Sequence, residues 1–199
     1  MKHLLLLVLL LTALGARAAA PPTPRPWYRP DHLALQTGGG LGMVAAGAGY
    51  EFSKKRRLET DILLGYVPKR FAGSTLTLAS VKFLYSPFRL RVAERVQVLP
   101  LSVGAYVSYT HGTLNDELKG QYSSDYYYFS TDTRLGPLLG GRLTYLAAPV
   151  AATGQPRKVS VYYELGSNDL YIASYLTNPD GGVGFGQILT LALGVKVDF

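Results

Sequence analysis

The stretch at residues 187–199 constrains the fold of this chain more than any other. Apolar side chains take every second position, and the residues between them are small or polar. The apolar positions are Leu189, Leu191, Leu193, Val195, Val197 and Phe199. Because successive side chains of a strand point to opposite faces, the pattern predicts a strand with one apolar and one polar face. Its alternation over about 11 residues suffices for a tilted strand to cross a bilayer. The alternative is an edge strand of a soluble β-sandwich.

The first 18 residues have the composition of a secretory signal peptide. Lys2 and His3 precede an apolar core at residues 4–14, and Ala16-Arg17-Ala18 forms a small-x-small cleavage site. A retained membrane anchor is the alternative, but it needs a longer apolar run. Residues 19–31 are proline-rich and predict an extended periplasmic leader, which places the folded domain at residues 32–199.

Composition excludes several classes of function. The chain has no cysteine, which excludes a disulfide, a thiol nucleophile and a thiolate metal site. Its formal net charge is +7, but the basic residues are dispersed and no base-stacking motif accompanies them, so we expect no nucleic-acid partner. No stretch after the signal peptide has 18 consecutive apolar residues, which argues against a transmembrane helix.

The alternation of the final stretch recurs along the chain and predicts eight strands. Their expected bounds are residues 32–37, 41–52, 58–67, 75–85, 96–110, 133–147, 157–166 and 187–199. An even number of such strands predicts an all-β fold, a closed antiparallel transmembrane β-barrel with both chain ends in the periplasm. Eight strands enclose a space that side chains fill, so we expect no open pore. Pro100 predicts a bulge or the start of the fifth strand.

Two long connections separate the later strands. Residues 111–132 and 167–184 are the expected extracellular loops, because barrels place long loops outside and short turns in the periplasm. The first contains an aromatic run, Tyr126, Tyr127, Tyr128 and Phe129, that predicts either a recognition site or an aromatic girdle at the membrane surface. Within the second we expect strand extensions through residues 170–176.

The polar faces of the strands collect charged residues of both signs. These predicted lumen residues are Glu59, Asp61, Lys82, Arg134, Arg142, Glu164 and Lys196. A charge that faced lipid would cost about 2–4 kcal/mol near the membrane midplane, so the side chains are expected inside. There they must pair, because an uncompensated buried charge is strongly destabilising. A structural salt-bridge plug and a proton- or ligand-handling site are the two interpretations.

Local sequence shows no complete catalytic or metal-binding motif. After the signal peptide the chain has two histidines, His32 and His111, and neither adjoins a serine motif. The histidines and scattered carboxylates lack the spacing of metal ligands, so no metal or other cofactor is expected.

Two features carry a resemblance to known proteins. The segment Gly166-Ser167-Asn168-Asp169-Leu170-Tyr171 and the terminal Phe199 resemble small bacterial outer-membrane barrels. Ser167-Asn168 is also similar to the lipid A deacylase barrels, which carry His-x-Ser-Asn with a later Glu. Here Leu165 stands at the position of the catalytic His, and no Glu follows Asn168. The resemblance implies a place in the cell outer membrane, contact with its lipid, and a terminal Phe read by the barrel-assembly machinery.

Three functions are therefore considered. The first is a non-enzymatic outer-membrane barrel whose loops at residues 111–132 and 167–184 bind an extracellular or periplasmic ligand, or which serves a structural role. The second is a lipid A deacylase-like enzyme with a degenerate site that uses Ser167 and His111. The third is a narrow solute channel.

Overall fold

The computed structural model describes residues 26, 28–52, 56–113, 132–149, 156–177 and 184–198. Its strands are β1 (His32–Gly38), β2 (Val44–Phe52), β3 (Leu58–Val67), β4 (Leu76–Tyr85), β5 (Leu90–Ala93), β6 (Val96–His111), β7 (Thr133–Pro149), β8 (Pro156–Gly166) and β9 (Thr190–Asp198). Two α-helices, α1 (Lys69–Ala72) and α2 (Asp169–Thr177), and a 3₁₀ helix (Phe185–Gln187) lie in the connections. Several predicted features lie outside the described residues: the signal peptide, residues 19–25 and 27 of the proline-rich leader, the run Tyr126, Tyr127, Tyr128 and Phe129, and Phe199.

Eight of these strands close into an antiparallel barrel, as the sequence predicts. Each strand pairs with its neighbours in the order β4-β3-β2-β1-β9-β8-β7-β6, and β4 pairs with β6 to complete the ring. Strand β9 lies between β1 and β8, so the alternating segment that ends the chain joins the first strand to the rest of the wall. The short β5 pairs with the start of β6 and lies outside the ring of eight.

The two ends of the barrel differ in their connections. At one end, His32 at the start of β1 pairs with Asp198 at the end of β9, and we call this the termini end. Strands β2, β4 and β7 end there, and β3, β6 and β8 begin there. At the opposite end, β1, β3, β6 and β8 end and β2, β4, β7 and β9 begin. We call it the long-loop end, because the longest stretches between barrel strands, residues 112–132 and 167–189, start and finish at strand ends there.

Side chains alternate between the inside and the outside of the barrel. On β3, Glu59, Asp61 and Leu63 are buried, whereas Ile62 and Leu64 are 52% and 65% exposed. The same period of two holds along the other barrel strands. The wall therefore presents apolar side chains outward and encloses most of the polar ones, which is the reverse of a soluble protein.

A β-bulge interrupts the alternation of β6 at Pro100. The pairing with β7 passes from Leu99↔Arg142 to Ser102↔Gly140, so β6 has one more residue than β7 in this interval. The bulge predicted at Pro100 is therefore present. A strictly alternating strand would put Leu99 and Val103 on one apolar face, but the extra residue turns Leu99 inward while Val103 faces outward.

The connections correct one expectation and add one strand. The predicted strand extensions through residues 170–176 are wrong, because this segment forms α2. The side-chain carbonyl of Asn168 accepts a hydrogen bond of 2.8 Å from the backbone N–H of Tyr171, which caps the helix. The connection at residues 86–95, too long for a simple turn, contains β5 and the turn that joins it to β6.

Apolar side chains also pack inside the barrel, and several of them lie near the long-loop end. Residues 39–43 fold over the rim and insert Leu41, which is 1% exposed. Gly65 permits this approach, because a Cβ there would lie on the carbonyl oxygen of Leu41. The buried apolar cluster contains Ala34, Leu41, Ala45, Leu63, Leu84, Tyr106 and Leu138. Among the described residues, no helix is both long and apolar enough to cross a membrane.

Candidate functional site: a buried charge cluster

Six charged side chains from five strands meet inside the barrel. They are Glu59, Asp61, Lys82, Arg142, Glu164 and Lys196, which we call the lumen cluster. Lys82, Lys196 and Asp61 are completely buried, and the exposed fractions of the others do not exceed 9%. Three carboxylates therefore face three cations, and the formal charges of the cluster balance.

Glu59 and Asp61 share Lys196 across the barrel. The Lys196 ammonium donates to Glu59 and to Asp61 Oδ2, the latter at 2.6 Å. Arg142 donates from Nη2 to both carboxylate oxygens of Glu59, at 2.7 and 2.8 Å. These contacts join β3 to β7 and β9, so they connect parts of the wall that are not hydrogen-bonded neighbours.

Lys82 forms the second part of the cluster. Its ammonium donates to both oxygens of Glu164, at 3.0 and 2.9 Å, and to Gln36 Oε1 at 2.9 Å. Asp61 Oδ2 lies 3.4 Å from Lys82 Nζ, which connects the two parts. Tyr162 donates its hydroxyl to the same Gln36 oxygen at 3.1 Å.

His32 joins the cluster although local sequence does not predict it. Its Nε2 lies 2.7 Å from Asp61 Oδ1 and must be the donor if that carboxylate is ionised. Gly49 on β2 makes room for the ring, because a Cβ there would come within 2.5 Å of Asp61 Oδ1 and of His32 Cε1. The strict alternation of β1 puts His32 on the inward face, which was the only signal of this contact in the sequence.

The aromatic ring of Tyr162 lies close to both lysines. Lys82 Nζ is 5.1 Å and Lys196 Nζ is 5.2 Å from the ring centroid, within the range of cation–π attraction. Gly194 on β9 leaves space for this ring, since a Cβ at that position would meet the Tyr162 ring carbons. A glycine at an inward position thus allows the ring to approach both ammonium groups.

One part of the cluster has the donor set of a metal site. Ligand atoms of His32, Glu59 and Asp61 all lie within 4.8 Å of one another. The Lys196 ammonium, however, donates to both carboxylates and supplies the positive charge that a metal ion would supply. The residues therefore fit a protein cation better than a bound divalent ion.

The chemical capacity of the cluster follows from this pairing. Each carboxylate accepts charge-assisted hydrogen bonds from buried cations, so none is left as an available base. The arrangement can cross-link strands β3, β4, β7, β8 and β9 through the interior. Of the two interpretations, it favours the salt-bridge plug over a proton-handling site.

Arg134, the seventh predicted lumen residue, does not join these contacts. It lies on β7 eight residues before Arg142, roughly 27 Å away along the strand. Its guanidinium donates to the Thr133 carbonyl at 2.7 Å near the long-loop end.

The structure does not bring Ser167 and His111 together. Ser167 is buried beside Pro137, to whose carbonyl its backbone N–H donates, and its hydroxyl has no hydrogen-bond partner within the described residues. His111 ends β6 on its exposed outward face. Pro137 pairs with Ala105 of β6, six residues before His111 and roughly 20 Å away along the strand. This geometry does not support the pair as a nucleophile and its base.

The termini end of the interior has little free space. A cavity of about 10 Å³ lies there among polar side chains that include Gln97, Thr144, Ser160 and Asp198. This volume holds about one water molecule. The lumen cluster lies deeper in the barrel. Leu41, Leu63 and Leu138 of the buried apolar cluster lie beyond it towards the long-loop end, whereas Leu84 is level with Glu59.

Comparisons with known proteins provide no family for this chain. No protein-family model matches it, and no curated protein matches it significantly.

Proposed function

We propose that this chain is a non-enzymatic integral protein of the bacterial outer membrane. The observation that carries the proposal is the inverted polarity of the closed barrel. Large apolar side chains are exposed around the wall, and ion pairs are buried within it. Soluble monomers rarely expose contiguous apolar patches larger than a few hundred Å².

The outward positions support contact with lipid. On the described barrel strands, the only Asp, Glu, Lys or Arg on the outward face is Arg157, at the start of β8. A charged side chain is tolerated at such a rim but is destabilising near the midplane. A wall that contacts the hydrocarbon layer of a membrane is expected to have this distribution of charged residues.

The height of the apolar surface also agrees with insertion in a membrane. On β3, the outward residues from Leu58 to Tyr66 cover eight residue steps, roughly 27 Å along the strand. With a strand tilt of about 40°, that length spans roughly 20 Å, close to the apolar band of about 25 Å in outer-membrane barrels. Exposed aromatic residues occur towards both ends, with Phe52 and Tyr85 at one and Tyr66 and Tyr109 at the other.

Connection lengths suggest the orientation. The two longest connections, at residues 112–132 and 167–189, both lie at the long-loop end. Since barrels place longer loops outside the cell, the termini end faces the periplasm in our proposal. The loops predicted for ligand binding would then be extracellular. We also propose that the barrel-assembly machinery recognises the C-terminal strand.

Geometry gives less support to the two alternatives. A deacylase-like enzyme would need a base for Ser167, and His111 lies on the other face of the wall. A solute channel would need a continuous passage, whereas buried ion pairs and apolar side chains occupy the interior. Among the described residues, no specific contact favours either alternative.

Cell fractionation tests the proposal directly. The protein expressed in a Gram-negative host should be recovered with the outer membrane and should migrate faster on a denaturing gel before boiling than after it. Ile62→Arg, which puts a charge on the outward face, should lower the folded fraction, whereas Leu58→Arg at the rim should not. Recovery of folded protein from the soluble periplasm would overturn the proposal.

Intact-cell proteolysis tests the proposed orientation. Protease added outside should cut within residues 112–132 or 178–183 and leave the barrel strands intact. Complete protection of both segments, in cells whose outer membrane contains the folded protein, would reject their extracellular placement.

A further inference from the structure

The hairpin formed by β5 and β6 has one open strand edge at the termini end. Strand β5 pairs with β6 alone, so it is an edge of the sheet. The strand that would continue on its other side is β3, but β3 begins at Leu58, opposite Tyr85. The last backbone hydrogen bond on that side runs from the Ser86 N–H to the Arg57 carbonyl, at 2.9 Å. Beyond Ser86, no described strand lies beside β5.

The backbone groups of Arg89 and Arg91 point towards this open edge. The Arg95 carbonyl accepts a hydrogen bond of 2.7 Å from β7, so Arg95 directs its backbone groups towards β7. Because these groups alternate between the two sides of a strand, Val98 directs its own towards β5. Leu90 pairs with Val98 and therefore faces β6, which leaves Arg89 and Arg91 facing away from β6. No described residue forms a backbone hydrogen bond with them on that side.

The side chains beside the open edge alternate between cationic and apolar. Arg91 pairs with Gln97, and Arg89 lines the small termini-end cavity with Gln97, so both arginines lie on the inward face. Leu90 pairs with Val98 on the outward face and is 52% exposed. A strand added beside β5 would therefore have two cations next to its inward face and an apolar side chain next to its outward face.

Neither guanidinium group has a carboxylate partner among the described residues. Arg89 donates to the Arg56 carbonyl at 2.9 Å, and Arg91 donates to the Glu94 carbonyl at 2.5 Å. Each of these bonds uses one nitrogen, and an arginine has five N–H donors, so donors remain for an anion. Both arginines are exposed, as are all four residues of β5. The edge is thus accessible and its positive charge is not neutralised by a described acidic residue.

We propose that the open edge of β5 binds an extended acidic peptide, which adds to the sheet as one more strand and pairs its carboxylates with Arg89 and Arg91. When a strand is added to an exposed edge, main-chain hydrogen bonds supply affinity and alternate side chains supply specificity. Opposite residues of paired strands lie on the same face, so glutamates at every second position reach the arginines. The compartment of the partner, the periplasm, rests on the proposed function, which places the termini end there.

Charge argues against a second copy of this chain as the partner. Two β5 edges related by two-fold symmetry would pair antiparallel. Since both edge residues are arginines, Arg89 and Arg91, every such register puts an arginine opposite an arginine. Like charges directly opposite each other destabilise a pair of strands. The edge therefore favours an acidic partner over self-association.

Fluorescence anisotropy with synthetic peptides tests the site on the full chain folded in detergent micelles. The probe is a labelled peptide of alternating glutamate and valine. One control is a peptide of alternating lysine and valine. The other is the glutamate peptide with N-methyl groups on its glutamates, which keeps the charge but removes the N–H donors that would face the arginines. We expect the probe to bind at least about tenfold more tightly than either control.

Substitutions in the protein locate the site. Arg89→Gln and Arg91→Gln should each weaken binding of the glutamate peptide about fivefold, because each removes one charge-assisted contact. Arg70→Gln, at an exposed arginine of α1 at the opposite end, is the matched control and should leave binding unchanged. Equal binding of the three peptides, no binding of the glutamate peptide, or an equal loss in Arg70→Gln would overturn the proposed site.

The same preparations separate this inference from the proposed function. A protein that shows heat-modifiable migration and fractionates with the outer membrane but binds no glutamate peptide would reject the site alone. A folded barrel that binds the peptide but is recovered from the soluble periplasm would reject the proposed function and leave the site in place.

Discussion

The substitution Lys196→Met is the strongest test of whether the ion pairs of the lumen cluster stabilise the barrel. The substitution keeps the length of the side chain but removes the ammonium that contacts Glu59 and Asp61. Removing one partner of a buried ion pair costs about 3–5 kcal/mol, because the opposite charge is left uncompensated. Arg142 still contacts Glu59, and His32 and Lys82 still lie near Asp61, so we expect the lower part of this range.

Equilibrium unfolding measures this effect. The variant in phospholipid vesicles should lose about 3 kcal/mol of unfolding free energy, which is more than a hundredfold in the equilibrium constant. Denaturant titration followed by far-ultraviolet circular dichroism and by heat-modifiable migration gives the value. Lys69→Met, at an exposed lysine of α1, is the matched control and should be nearly neutral.

A second substitution identifies charge imbalance as the cause. Adding Asp61→Asn to Lys196→Met leaves two carboxylates, Glu59 and Glu164, facing two cations, Arg142 and Lys82. The double variant should therefore be more stable than Lys196→Met alone. Additive losses, or a Lys196→Met variant as stable as Lys69→Met, would refute the argument from buried charge.

Further changes test the wall and its interior. Ile62→Arg should destabilise the vesicle-bound barrel by about 2–4 kcal/mol, and Leu58→Arg by about 0–1 kcal/mol. Denaturant titration measures both losses, and equal losses would contradict the proposed depth of these residues in the membrane. Gly194→Val should cost about 1–3 kcal/mol in the same assay, because its Cβ meets Tyr162 at 2.3 Å. Its control, Gly186→Ala, places a Cβ where nothing lies within 4 Å and should be neutral. Deletion of Pro100 removes the extra residue of β6, so Leu99 should stay inward opposite Arg142 and the alternation up to Ser102 should become regular. The melting temperature should then change little, whereas a large fall would show that the bulge itself stabilises the wall.

Strand positions are the part of the fold that local sequence predicts best. Alternation has a period of two, and one face of each strand is exposed and mostly apolar along its length, so the pattern extends along the whole strand. The final stretch shows this, since Leu191 and Leu193 are exposed and Ala192 and Lys196 are buried. Inward charges such as Lys82 follow from the same rule.

Local sequence fails where a single residue changes the register or where the contact is distant. The bulge at Pro100 reverses the face of Leu99, and its exact position depends on the pairing with β7. Residues 169–177 contain strand-favouring side chains, yet they form α2 in a connection where no partner strand continues. His32 meets Asp61 across 29 residues, a contact that no local motif encodes.

Depth profiling of single spin labels tests the central claim most directly. The chain has no cysteine, so one can be placed at each outward β3 position from residue 58 to residue 66 without background labelling. In reconstituted vesicles, oxygen accessibility relative to a water-soluble nickel chelate should rise towards Ile62 and fall at both ends. High and uniform nickel accessibility along the strand, with the barrel folded, would contradict a wall that faces lipid.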